Sequence, residues 1–381
     1  MRVCVCTVVH HPEDARILHR QIRALLDAGH EVTYIAPFRA CNATPWRQIS
    51  PVDVPRATGR RRIRALRAAH RALAEHALYA DVVLLHDPEL LVSLPRELLA
   101  RTVVWDVHED TAAALSAKGW VPGPARPLLR PAVRRLERRS ERRHRLLLAE
   151  EGYRSRFRGD HPVVPNTTYV PDLPPGPPDG RRAVYVGQLS RARGALDMIE
   201  MARTLAAGDV LVELIGAADA DVRDALRAAQ REGIVRWYGF VPNDRALRIA
   251  EGAMAGLALL HDEPNYRHSM PTKVVEYMAR GIPVITTPNP PAVDIVEPAE
   301  CGLVVPFRAP EAAAKAVLRL RDDPVLRTGF GKRGYEAARE RFHWPVHAER
   351  FVAQLEAWAG RSPLTVPEPE PEPEAEPVPE F

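Results

Sequence analysis

Ser269-Met-Pro-Thr-Lys273-Val-Val-Glu276-Tyr-Met-Ala-Arg-Gly281-Ile-Pro283-Val-Ile285 places a lysine and a carboxylate three residues apart at the start of a helix. Upstream, the apolar run Ala255 to Leu260 reads as a buried parallel strand and His261 to His268 as the loop leaving it. The helix is expected over Pro271 to Arg280, since proline suits a first helical turn and Gly281 the position just past the last. Strand, loop and helix in that order form the repeating unit of an open parallel sheet. Ligands gather there beyond the carboxyl ends of the strands, drawn by unpaired N–H groups and the dipole of the following helix. Lys273 and Glu276 share one helix face. A lysine supplies a compact positive charge for a diphosphate, and an ionised glutamate accepts hydrogen bonds from both hydroxyls of a ribose. Each such charged bond is worth roughly 1.5 to 3 kcal/mol when partly desolvated. An arbitrary Lys/Glu pair at this spacing is more often a solvated surface bridge. Here only four of the 53 basic residues are lysines, so surface charge is ordinarily carried by arginine.

Outward from this segment, strand and helix signals alternate in two series. Val3 to Val9, Val32 to Ala36, Val82 to His86, Val103 to Val107 and Leu146 to Ala149 read as buried strands in the first half. Ala183 to Val186, Leu211 to Ile215, Val235 to Tyr238, Ala255 to Leu260, Pro283 to Thr287 and Leu303 to Val305 follow in the second. The pattern implies an α/β chain with two doubly wound parallel sheets. Between them Pro165 to Gly180 is too rich in proline and glycine for regular structure. The expected division is a first domain over 1–164, a linker over 165–180, a second domain over 181–343, a terminal helix over 344–360 and a tail over 361–381.

The stretch around Lys273 resembles the donor-binding segment of family 4 glycosyltransferases, retaining enzymes of the GT-B fold, in the variant Ser-x-Pro-x-Lys-x-x-Glu-Tyr-Met-Ala-x-Gly-x-Pro-Val. The resemblance implies two Rossmann-like domains facing a cleft, with the last helical segment, Trp344 to Ala359, crossing back to the first domain. It also implies transfer of a hexosyl group from a nucleotide-diphosphate sugar to a hydroxyl acceptor with retention, in cell-surface glycan, glycolipid or natural-product glycosylation. No metal and no cofactor is needed when fixed cations hold the leaving phosphate. Ser269, Pro271, Thr272, Lys273 and Glu276 are then donor-binding residues. Gly187-Gln-Leu-Ser-Arg-Ala-Arg193-Gly194 looks like the family's Gly-Arg-Leu-x-x-x-Lys-Gly phosphate loop, with Gln188 in the arginine position and Arg193 in the lysine position. Arg191 is a second source of charge there. Gly239-Phe-Val241-Pro242-Asn-Asp resembles the loop beside the nucleobase, and Asn243 or Asp244 also suits a helix N-cap. Seven residues lie between His268 and Glu276, so His268 stands where the family's Glu-x7-Glu pattern has its first glutamate, the one that meets the donor sugar. Glu263 is a substitute in the same loop.

Three polar clusters occupy strand ends in the first half: His10-His11-Pro-Glu-Asp14-Ala-Arg16, His86-Asp87-Pro-Glu89 and Asp106-Val-His108-Glu109-Asp110. His11, Asp14, Arg16, His86, Asp87 and Glu109 are read as acceptor-side residues. By resemblance His108 approaches the anomeric region of the donor, making His108, Lys273 and Glu276 the catalytic set. Two rival readings are a GT-B sugar-nucleotide epimerase and a catalytically silent partner subunit.

Composition narrows the class. No apolar run approaches the roughly 18 residues of a membrane span, and the N-terminus reads as a buried strand, which points to the cytoplasm. Cysteines at 4, 6, 41 and 301 make neither a metal spacing nor a disulfide framework. No Walker loop and no Gly-x-Gly-x-x-Gly follows a first strand, which argues against ATP and NAD. The net charge is +4, and the tail from Pro367 carries six glutamates and no base, so the rest of the chain is at +4 − (−6) = +10. Alternating Pro and Glu form an extended, self-repelling tail. The basic stretches Arg126 to Arg145, with Leu129, Val133 and Leu136 on one helical stripe, and Gly59 to Arg67 are solvated faces or a peripheral contact with anionic lipid at the inner membrane face, which suits a lipid-linked acceptor. Nucleic-acid binding is disfavoured, since aromatics are 6% of residues and no recognition motif is present.

Overall fold

The computed structural model describes residues 1–108, 126–179, 181–264, 266–267 and 269–360. Glu109, Asp110, His268 and the tail over 361–381 lie outside the described residues.

Two six-stranded parallel sheets form the frame. The first contains β1 (Arg2–Cys6), β2 (Glu31–Ala36), β3 (Ser50–Asp53), β4 (Val82–Leu85), β5 (Thr102–Val107) and β6 (Arg145–Leu148), in the order β3-β2-β1-β4-β5-β6. The second contains β7 (Arg182–Val186), β8 (Leu211–Ile215), β9 (Val235–Gly239), β10 (Ala255–Ala258), β11 (Val284–Thr286) and β12 (Gly302–Val304), in the order β12-β11-β10-β7-β8-β9. Central strands such as β4 and β10 are apolar throughout because helices cover both their faces, so no residue alternates toward water. The edge strand β3 is the exception: Ser-Pro-Val-Asp carries no apolar run and is largely exposed. Several strands stop earlier than their apolar runs, because β1 and β10 hand their last residues to the loops that build the cleft.

Each sheet reverses its winding between its first strand and the fourth, at β1/β4 and at β7/β10. Such switch points open a crevice beyond the strand ends. The loops after β1, β4 and β5 face those after β7 and β10 across it.

Two chain segments cross between the lobes side by side. The Thr168 N–H donates to the Phe342 carbonyl at 3.2 Å and the Trp344 N–H to the Thr168 carbonyl at 2.8 Å. Helix Trp344–Trp358 then buries Trp344, Phe351, Val352 and Leu355 in the core of the first sheet, beside Val3, Val5 and Tyr34. His30 Nε2 pairs with Glu356 Oε1 at 3.0 Å on that helix.

Candidate active site between the lobes

Helix Thr272–Met278 begins one residue later than expected, with Pro271 at its cap (φ −78°). Its Val274, Val275, Tyr277 and Met278 pack into the core, which leaves Lys273 and Glu276 directed to the cleft. The Tyr277 hydroxyl donates to the Leu257 carbonyl at 3.2 Å and accepts from the Val186 N–H at 2.9 Å, so this helix is tied to both β7 and β10.

Lys273 Nζ lies 5.1 Å from the centroid of the Tyr185 ring. A Cβ on Gly187 would come within 2.9 Å of that ammonium and push it aside, and at φ +130° any side chain is strained whatever the space. At Gly194 (φ +76°) a Cβ would meet the Leu259 carbonyl oxygen at 2.2 Å. The two glycines let the loop after β7 close directly on Lys273 and on the end of β10. Burial pushes the Lys273 ammonium down to about 7, the charge of Arg193 adds to that, and Glu276 pulls it back.

Lys273 and Arg193 line a pocket of about 200 Å³ together with Ser269, Met270, Pro271, Thr272, Tyr266, Asn289 and, from the opposite lobe, His108. The other loop arginine faces elsewhere. Arg191 is 62% exposed and pairs with Asp221 at 3.1 Å, while Gln188 donates to Asp219 at 2.7 Å. The arginine position of the loop therefore contributes no cation, and Arg193 alone supplies one from this segment. His261 Nε2 lies 2.5 Å from Asp197 Oδ2 and the His261 backbone N–H donates to the Ala192 carbonyl, bracing the loop after β7 from the end of β10.

Glu276 is 5% exposed. Its Oε1 accepts from Asn243 Nδ2 at 3.0 Å and from Arg20 Nη2, on the first lobe, at 3.3 Å. Asn243 is the first residue of helix Asn243–Ala250 rather than its cap, which falls on Pro242. Val241 packs on the second-lobe core, and Phe240 beside it stacks on the His11 ring of the first lobe at 4.7 Å.

On the first lobe, Arg16 forks onto Asp106 at 2.6 and 2.7 Å. Burial opposes ionisation of Asp106 and is the largest single effect, but the Arg16 charge together with hydrogen bonds from Arg16, His108 and His86 holds the carboxyl well below the usual range. His86 Nδ1 lies 3.2 Å from Asp106, His108 Nδ1 3.5 Å from it and 3.1 Å from the Asp106 carbonyl oxygen. His108 Nε2 meets His10 Nε2 at 3.0 Å. Asp87 accepts from the N–H groups of Val8 and Val9 and from the Thr7 hydroxyl. Asp14 accepts from the Arg16 and Ile17 N–H groups at the start of a π-helical turn. Of the residues expected on the acceptor side, Arg16, His86 and Asp87 are thus buried at 1–3% exposure beneath the cleft, the first two against Asp106 and the third on backbone N–H groups and the Thr7 hydroxyl. They shape the floor that holds His10 and His108, while His11 and Asp14 remain partly exposed.

His86, Asp106 and His108 bring donor atoms within 4.8 Å of one another. The Asp106 carboxylate is already forked by a fixed guanidinium, so a cation there would sit against a like charge, and the set is a poor metal site.

A two-lobed α/β fold with its cationic pocket at paired switch points is the GT-B architecture. Residues 175–337 match the family model of glycosyl transferases group 1. The chain is 24% identical over 353 residues to the phosphatidyl-myo-inositol mannosyltransferase of Mycolicibacterium smegmatis, with 88% of each chain covered. Among solved structures it resembles sucrose-phosphate synthase from Thermosynechococcus elongatus (TM-score 0.71, 17% identity, 93% of this chain and 98% of that one). It also resembles Anabaena HepE in complex with UDP and glucose (TM-score 0.69, 16% identity, 94% and 100%). The family match and the mannosyltransferase relative support a glycosyltransferase.

Proposed function

We propose that the chain transfers a hexosyl group from a nucleoside-diphosphate sugar to a hydroxyl acceptor with retention of configuration. The observation that carries this reading is the convergence of Lys273 and Arg193 from one lobe and His108 from the other on a single pocket. Breaking the anomeric C–O bond leaves negative charge on the departing diphosphate. Fixed cations and N–H groups at the start of helix Thr272–Met278 stabilise that charge, the largest electrostatic task in such a reaction. Glu276 takes the ribose hydroxyls. His108 is held by the Asp106 carbonyl and by His10, an arrangement suited to positioning a sugar hydroxyl rather than to nucleophilic attack. The acceptor hydroxyl attacks from the face the leaving group vacates, and the leaving phosphate takes its proton, so the reaction proceeds without a metal.

The donor class is supported by HepE, whose structure contains UDP and glucose. A lipid-linked acceptor is supported by the phosphatidyl-myo-inositol mannosyltransferase relative. No helix among the described residues is long and apolar enough to cross a membrane. Helix Arg62–His76 instead exposes Ile63 among arginines, a face suited to anionic lipid at the inner membrane surface. The test is product analysis with UDP-, GDP- and ADP-sugars and lipid or free sugar acceptors. A new glycoside with the donor's anomeric configuration supports the reading. An epimerised donor, or nucleotide binding without turnover, replaces it.

A further inference from the structure

Glu150 follows β6 on the first lobe and takes no part in the chemistry assigned to the cleft. Its side chain is buried at 9% exposure, yet its Oε1 accepts a hydrogen bond at 2.8 Å from the Met270 N–H of the second lobe. Met270 sits between Ser269 and Pro271 in the loop that lines the pocket, two residues before helix Thr272–Met278 and its Lys273. Arg16 is the charged side chain that faces Glu150, and Arg16 is itself forked onto Asp106 beneath His108. Glu150 therefore stands between the network that holds His108 and the loop that presents the leaving-group cation. A buried carboxylate is costly, and the same fold would be more stable with an apolar side chain at this position.

We propose that Glu150 is a positioning residue for glycosyl transfer, holding the Met270 N–H across the cleft so that the donor loop and Lys273 keep their register with His108. The proposal rests on the glycosyltransferase reading. It has a signature in pH. Burial pushes the Glu150 carboxyl up to about 7, against the opposing pull of the Met270 N–H and Arg16. Because that value is raised, the proton favours the closed arrangement. Ionisation strengthens the Met270 N–H bond but makes burial of the carboxyl costlier, and burial is the larger effect, so the arrangement is favoured in full below the ordinary carboxylate range and loses that advantage as pH rises through about 7. A glutamine keeps an accepting oxygen at the same reach and does not titrate.

The experiment uses the full chain as wild type, Glu150→Ala and Glu150→Gln, following release of UDP from UDP-glucose and of GDP from GDP-mannose between about pH 6 and 8.5 with the lipid and free sugar acceptors of the product analysis present. The turnover number is read at saturating donor, where protonation of Lys273 by donor binding is already complete, and UDP and GDP affinities are measured in parallel. Glu150→Ala is expected to lose about ten-fold or more in kcat while nucleotide affinity changes less than about three-fold. Glu150→Gln is expected to retain most of the turnover and to lack the fall above about pH 7 that wild type shows. Wild-type kcat in Glu150→Ala, or a Glu150→Gln profile that falls like wild type or is as weak as Glu150→Ala, overturns the proposal alone. A wild-type chain that turns over no donor overturns the glycosyltransferase reading and this proposal with it.

Discussion

On the proposed function, the depressed ammonium of Lys273 is expected to make nucleotide binding a proton-uptake reaction. In the empty pocket burial pushes it down to about 7, Arg193 adds to the effect, and Glu276 opposes it. A diphosphate brings negative oxygens into the pocket and returns the group toward its ordinary value of 10.5. Affinity is then complete below about pH 7 and falls ten-fold per unit above it, because a proton must be drawn from solvent for each nucleotide bound. From well below pH 7 to about pH 8.5 the loss is about 30-fold, or about 2 kcal/mol. Calorimetric titration of UDP and GDP in two buffers of different ionisation enthalpy reads the uptake directly. It is expected to approach one proton near about pH 8.5 and to vanish in Lys273→Met, which should also bind about ten-fold or more weakly at neutral pH. The same depression has a sign for folding. The unfolded chain binds the Lys273 proton more tightly than the folded one, so the residue destabilises the empty protein at neutral pH and the penalty is relieved as pH rises toward 10.5. Lys273→Met is therefore expected to raise the Tm of the empty chain while abolishing uptake. A pH-independent affinity with no uptake in wild type, or a Lys273→Met variant that binds like wild type, refutes the reasoning.

Three further outcomes are expected. Asp106→Ala strips Arg16 of its carboxylate and leaves a buried guanidinium, costing about 3 to 5 kcal/mol in denaturant unfolding, and pairing Arg16→Met with Asp106→Leu recovers part of it. Gly194→Ala forces a Cβ to 2.2 Å from the Leu259 oxygen at φ +76° and is expected to cost about 2 to 4 kcal/mol, checked by thermal unfolding. His108→Ala is expected to lower donor turnover by about 100-fold with UDP or GDP affinity nearly unchanged, since the proposed role of His108 is to position the sugar rather than to hold the phosphates.

Fold and site were legible to different depths. Parallel strands buried on both faces announce themselves as unbroken apolar runs, which is why β4 and β10 stand out in the sequence. β3 does not, because an edge strand covered on one side only has no such run and Ser50-Pro-Val-Asp53 reads as loop. Lys273 and Glu276 were readable because helical spacing puts both on one face. Their partners were not: Tyr185 and Asn243 reach them from other strands and helices of the second lobe, and Arg20 reaches Glu276 only because the two lobes are paired. Residue type at a strand end likewise says nothing of depth. Arg16 and His86 look like groups offered to an acceptor, yet Asp106 draws both inward, and burial pushes the His86 ring below its ordinary value even beside that carboxylate.

The central claim concerns where a leaving diphosphate sits, and a crystal structure of the full chain with bound UDP or GDP tests it most directly. The account predicts the diphosphate between Lys273 Nζ and the Arg193 guanidinium at the start of helix Thr272–Met278, with the ribose hydroxyls on Glu276. A nucleotide bound elsewhere, or one whose phosphates contact neither cation, contradicts it.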